Sequence, residues 1–351
     1  MERCMRLLNP LILGCPALRQ VDAMINQAFG PTLESERCSY SITPLGSYPL
    51  KTYLPDSDID VCLKVPDAAA TWHLAVTQAL IGAATPAAWF HDNLRCDQAV
   101  FRRLVDLLRQ RLQPNERQSS HSFEKKVAVT LYFLGSEGGY RETAAAFGMA
   151  KSWCITVVAT VVDVLASQAK LWIRLPTFPG DWSRIERGFY KAQRFPGVVG
   201  AVDGTLIDIQ RPREYDGFYN RSGDPSLNVQ AMVDHRMVFL SVDIRPGSFS
   251  DKKIWKVSQL GQTIRRCIPT GSHVIGDSGY TLLPWLLTPY VPHEEGGRLS
   301  NTQKRFNYKL SSTRMVVECA FGRLKERFRI LKSVMNERSL DRTVAITTSC
   351  F

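Results

Sequence analysis

Gly197-Val-Val-Gly-Ala-Val-Asp-Gly-Thr205 is the stretch that decides the fold. Val198 to Val202 form an apolar, β-branched run of strand length, bounded by glycine on either side. Asp203 follows at once, so its carboxylate is expected where a buried strand opens to solvent. The arrangement recurs at His273-Val-Ile-Gly-Asp-Ser-Gly-Tyr280, which puts Asp277 at a second strand end, and Asp251 ends the turn-rich string Pro246-Gly-Ser-Phe-Ser-Asp251. Between these acids, Val229–Val233 and Met237–Ile244 read as two further strands, with Asp234-His-Arg236 as the turn of a hairpin. Beyond them Phe321, Leu324, Phe328 and Leu331 recur at helical spacing, and Glu318, three residues before Phe321, is expected on the same inward face. Strands followed by a packed helix make residues 173–351 an α/β sheet domain.

An acid at a strand end is ordinarily a turn former or a helix cap, and Glu318 can equally pair with Arg314 four residues earlier. Four acids converging from separate strands and a helix are a different matter. They supply only hard oxygen donors, which suit Mg²⁺ or Mn²⁺. Two such ions about 3.5–4 Å apart activate a water and stabilise the leaving oxygen in phosphodiester cleavage.

Upstream, residues 89–172 read as helical, with Phe101, Leu104, Leu107, Leu108 and Leu112 on one face and Val127, Val129, Leu131 and Leu134 approximately on another. Within this block, 140–165 has the pattern of a helix-turn-helix. Gly148 falls at the turn, Ser152 is the expected cap of the second helix, and Lys151 stands ready to meet a phosphate. An ordinary helical hairpin is the competing reading, because the second helix is apolar beyond Thr156.

Residues 1–85 differ in kind. Leu45-Gly-Ser-Tyr-Pro-Leu-Lys-Thr-Tyr-Leu-Pro-Asp-Ser-Asp-Ile-Asp60 sets a Gly-Ser pair ahead of an Asp-x-Asp. This resembles nucleotidyltransferases of the poly(A)-polymerase type, a likeness that implies a phosphate cradle at Gly46 and Ser47 and metal ligands at Asp58 and Asp60. No later strand before residue 90 offers the third acid which that chemistry needs. The segment is therefore expected to be a truncated α/β fragment, and an RNA nucleotidyltransferase is the weakest of three functional readings.

The 351 residues carry 44 Lys and Arg against 33 Asp and Glu, a net charge of +11. Residues 1–90 hold six basic against eight acidic residues, so the excess belongs to the later part, as expected of a protein that neutralises phosphates. No run of about 18 uncharged apolar residues suggests a membrane span, and the N-terminus has no pattern for secretion. Nine scattered cysteines without a CxxC pair read as reduced, mostly buried thiols of an intracellular protein.

Five separated strings, Gly197–Thr205, Tyr219-Asn-Arg-Ser-Gly223, Pro246–Asp251, Gly276-Asp-Ser-Gly-Tyr280 and Val317-Glu-Cys-Ala-Phe-Gly-Arg-Leu-Lys325, resemble the PIF/Harbinger DDE transposases and their domesticated nuclease relatives in order and spacing. The resemblance spans roughly 89–350. It implies an RNase H-like fold, a mixed sheet flanked by helices and preceded by the helix-turn-helix domain. It also implies a divalent-metal site at Asp203, Asp251, Asp277 and Glu318, with Asp203, Asp251 and Glu318 as the catalytic acids. By the same likeness the substrate is DNA, the location is the nucleus with cytoplasm, and a separate DNA-binding partner protein or a homo-oligomer is expected. Ala345–Cys350 looks like the start of the family's last helix, which usually continues through a Leu-His-Asn string, so the domain is expected to be truncated at its C-terminus. The rival to a metal-dependent endonuclease is a catalytically silent DNA-binding protein on the same fold.

Overall fold

The apolar run at Val198 begins the strand around which the rest is arranged. A computed structural model describes residues 41–45, 60–64, 87–112, 121–137, 139–212, 216–337 and 339–351. Two units are distinguished, one comprising residues 1–90 and 118–125, the other 91–117 and 126–351. In the first, β1 (Ser41–Leu45) and β2 (Asp60–Lys64) pair antiparallel, with Leu45 opposite Asp60. Gly46, Ser47 and Asp58 lie outside the described residues.

The second unit is built on five strands, β3 (Val198–Asp208), β4 (Ser226–Val233), β5 (Phe239–Pro246), β6 (His273–Ile275) and β7 (Leu286–Leu287), in the order β5-β4-β3-β6-β7. β3, β4 and β5 form an antiparallel meander, and β6 and β7 continue the sheet parallel to β3. β3 does not end at Asp203 as its sequence suggests. It runs five residues further because Asp203 to Asp208 pair with Ala231 to Ser226 of β4. The β4–β5 turn is held by Asp234, whose Oδ1 accepts from the Arg236 and Val238 amides at 2.7 and 2.9 Å. At the two edges of the sheet lie β7, only two residues long, and β5, whose pairing slips register beside Val233 and whose Asp243 and Arg245 form an ion pair.

Helices α1 (Ala87–Leu94), α2 (Gln98–Leu112), α3 (Phe123–Gly135), α4 (Gly139–Ala146) and α5 (Lys151–Trp172) precede the sheet, followed by α6 (Pro179–Gln193). Between β5 and β6 stand α7 (Asp251–Val257) and α8 (Gln259–Cys267). The 27-residue α9 (Asn301–Arg327) crosses β3 and β4, and α10 (Leu340–Cys350) packs on α5. α9 stops before Phe328 and Leu331, which belong to the irregular segment after it.

Two hydrophobic clusters hold the unit together. One lies where α6 and α9 cover Val198 to Val202, Ala231 to Val233 and Ile275. The other joins Val129 and Phe133 of α3, Val158 and Val162 of α5, Ile207 and Val229 of the sheet, and Ile346 of α10. The helical segment and the sheet thus share a core. α5 is long and apolar enough by composition to cross a membrane. Its Cys154, Val157, Val158, Val161 and Val162 instead fill one core-facing stripe, while Asp163 on its other side pairs with Arg342 at 3.0 and 3.3 Å. α4 and α5 meet through a turn at Gly148, whose φ of +58° suits glycine. The cap of α5 is Ala150 rather than the expected Ser152, because the helix already begins at Lys151. Lys151 and Ser152 are exposed on its first turn.

Candidate active site

The site grows from the register of two neighbouring strands. Ala201 of β3 stands opposite Ile275 of the parallel strand β6. Asp203 comes two residues on along β3 and Asp277 two residues on from Ile275, just past the end of β6, and the charge of Asp277 is felt at Asp203. Gly279 and Gly204 each fold their amide back onto the acid before them, to Asp277 Oδ1 at 2.9 Å and Asp203 Oδ1 at 2.9 Å.

Asp251 comes from the other direction. Ser250 caps α7 by accepting from the Lys253 amide, so Asp251 begins the first turn, where a negative charge is favoured. A Cβ on Gly204 would lie 2.5 Å from Asp251 Oδ1, and one on Gly279 would lie 3.2 Å from Asp251 Oδ2 and 3.0 Å from Asp277 Oδ1. The two glycines make room for the carboxylates. A side chain at either would push a carboxylate aside.

Glu318 departs from expectation. The buried face of α9 is Leu310, Thr313, Val317, Ala320, Phe321 and Leu324, and Glu318 lies one step round from Val317, with its side chain 48% exposed. It does not turn away from the acids, however. Arg314, one turn earlier, bonds Glu318 Oε1 through one guanidinium nitrogen and Asp203 Oδ2 through another. Arg314 therefore satisfies both the helix pair and the sheet acid.

Burial of Asp203 raises its carboxyl from 3.8 to about 6, opposed by Arg314 and the Gly204 amide and reinforced by the charges of Asp277 and Asp251. The direct ion pair to Arg314 would by itself lower the value; burial wins because the side chain is only 16% exposed. Asp251 is raised too, first by burial and then by Asp277, while Asn228 and Arg221 oppose the rise. Several carboxylates crowded into a partly buried space call for positive charge.

A ring of polar residues supports them. Asn228 Nδ2 donates to the Phe249 carbonyl at 2.9 Å and reaches Asp251 Oδ1 at 3.5 Å. Gln230 Nε2 reaches the Tyr280 hydroxyl at 3.1 Å and the Asp251 carbonyl at 3.4 Å. Tyr280 in turn stacks edge-on against Trp255 of α7. These residues, together with Arg314 and Arg221, are the ones that the motif reading passed over. Their signal is present in β4, where Asn228 and Gln230 alternate inside a strand buried along its whole length. Polar side chains in such a strand need a partner, and here the partner is the acid site.

Among the described residues no three His, Cys, Asp or Glu side chains stand as they are in position to hold a metal ion. The donor chemistry nevertheless fits a divalent cation. Every candidate ligand is oxygen, and Asn228 Oδ1, nine-tenths buried, has no hydrogen-bond partner and would lie 3.0 Å from a Cβ on Gly204, beside Asp251. Cys154 and Cys350 are buried, whereas Cys267 and Cys319 are exposed on their helices, so the expected burial of the thiols does not hold for those two.

Comparison with known proteins bears on this arrangement. Residues 202–351 match the family described as DDE superfamily endonuclease. That stretch holds all four acids. "Putative nuclease HARBI1" of Homo sapiens is 31% identical over 232 residues, covering 65% of either chain, and its Xenopus laevis counterpart is 28% identical over 231. "Protein ALP1-like" of Arabidopsis thaliana is 30% identical over 231 residues, 61% of this chain and 55% of that protein. The chain thus spans somewhat under two thirds of the length of these relatives. No solved structure matches. The nucleotidyltransferase reading of the N-terminal segment finds no support in these matches.

Proposed function

We propose that the second unit is a metal-dependent DNA endonuclease of the DDE type, on an RNase H-like sheet, with Asp203, Asp251, Asp277 and Glu318 as its metal ligands and Asp203, Asp251 and Glu318 as the catalytic acids. The observation that carries this reading is the crowding of Asp251 and Asp277 about Gly204 and Gly279 beside Asp203, within a stretch matching a DDE endonuclease family.

Mg²⁺ or Mn²⁺, when bound, would supply an activated water and charge stabilisation for phosphodiester hydrolysis or strand transfer. The chain's own part is positional. β3 fixes Asp203 and the turn after β6 fixes Asp277, Asn228 and Gln230 hold the start of α7, and burial keeps the oxygens short of water. Lys252, Lys253 and Lys256 on α7 and Arg265 and Arg266 on α8 are exposed and supply positive charge for the phosphate backbone. Exposed Lys151 and Ser152 offer a weaker second contact at the turn between α4 and α5. A DNA substrate carries with it a nuclear location, and a separate DNA-binding protein or a second copy of the chain would provide target choice.

The alternative, a DNA-binding protein without catalysis, is separated by one substitution. Asp203→Asn keeps shape and removes a ligand charge, so nicking of plasmid DNA with Mg²⁺ or Mn²⁺ should fall at least about a hundredfold. Filter-binding affinity should stay the same or rise, with the same linear dependence on log salt. If wild type and variant bind alike and neither nicks, the silent binder stands.

A further inference from the structure

Arg314 is placed unlike the other cations of α9. An Arg and a Glu four residues apart on a helix make an ordinary surface pair. Here the same guanidinium also reaches across to the sheet, bonding Asp203 of β3, and its side chain is only 17% exposed. One planar fork with two nitrogens thus spans two carboxylates that come from different elements. Its two contacts occupy Asp203 Oδ2 and Glu318 Oε1, for which a metal ion held by both residues would compete.

We infer that Arg314 is a built-in counter-cation that holds the site together without metal and must let go of Asp203 and Glu318 for a divalent ion to bridge them. The inference rests on the metal-site reading above and adds a control to it. Without Arg314, Asp203 would face Asp251 and Asp277 in a partly buried space with only the Gly204 amide, Asn228 and Arg221 to offset their repulsion. With Arg314 in place the acids are neutralised in part, and α9 is fastened to β3. A divalent ion then competes with a tethered monovalent one for the same oxygens, so each weakens the other's hold by the same factor. No bond is made or broken and no proton moves. The guanidinium stays charged and swings from the carboxylates.

The test uses the full chain, stripped with chelator, and Mn²⁺ as the probe. Free Mn²⁺ is followed by electron paramagnetic resonance for wild type, Arg314→Gln and Arg314→Lys, and melting is recorded with chelator and with saturating Mn²⁺. Arg314→Gln should bind Mn²⁺ about tenfold tighter than wild type, in the range of ordinary coupling energies. It should also melt lower in chelator and gain more from Mn²⁺. Arg314→Lys, whose single ammonium cannot span both acids, should fall between, and it decides the matter should Arg314→Gln not fold. If the wild type binds Mn²⁺ and the folded variants bind it equally or more weakly, Arg314 is a fastening or a ligand support and the inference is overturned. If none of the folded proteins binds Mn²⁺, the metal-site reading itself fails and takes this one with it.

Discussion

Gly204 shows how little room the acids have. Adding a single methyl there would bring a Cβ within 2.5 Å of Asp251 Oδ1. The atom it meets is the end of a flexible side chain, so Gly204→Ala should move the carboxylate rather than unfold the sheet. Nicking should drop by about a hundredfold, as expected for a misplacement of about 1 Å, while melting changes little; an unchanged rate would remove Asp251 from the site. Asp203 gives a pH signature in the metal-free protein. Its folded value of about 6 lies above its ordinary 3.8. A carboxyl shifted upward favours folding below the unfolded value and loses that contribution as pH rises through the folded one. In chelator, stability from this group should therefore fall between about pH 4 and pH 6.5, by on the order of 3 kcal/mol. Asp203→Asn should flatten that part of the melting-temperature profile.

The long helix α9 is set by its start. Ser300 and Gln303 form a reciprocal capping box, with Gln303 accepting from the Ser300 amide at 2.8 Å and Ser300 accepting from the Gln303 amide at 3.2 Å. Ser300→Ala should cost about 1 kcal/mol in denaturant unfolding. It should leave Mn²⁺ affinity alone, because Glu318 stands 18 residues further along, roughly 27 Å at the helical rise. A loss of metal binding would mean that the cap transmits to the site. Elements of this kind were legible from sequence to different depths. Val198–Val202 announced β3, but the polar Asp203-Gly-Thr205 hid its continuation, which depends on pairing with β4 and on the second core cluster. The period of Phe321 and Leu324 revealed α9 but put Glu318 on the wrong side of the boundary, since a residue three before Phe321 and one after Val317 sits at the stripe's margin. Arg314 reaching Asp203 could not be read at all, because the two are 111 residues apart and meet only through the packing of α9 on the sheet.

At the scale of the whole unit, α3, α4, α5 and α10 complete a core with the sheet rather than a core of their own. Ile346, fully buried on α10, touches that shared cluster. Ile346→Ala should therefore destabilise by about 2–5 kcal/mol, and amide exchange should speed up together in α5 and β4. Exchange that quickens in α5 alone would divide the unit in two.

The sheet's borders bear on the protein's life in solution at high concentration. An unpaired strand offers its free amides and carbonyls to any passing chain, and long, flat borders of this kind seed fibres. The two-residue β7 gives an incoming strand almost nothing to extend. At the opposite border, the slipped register of β5 bends the ladder, and the Asp243–Arg245 pair would have to be stripped of water before another strand could settle beside it. The fold that keeps its acids at the central strand thus closes its margins against self-templating.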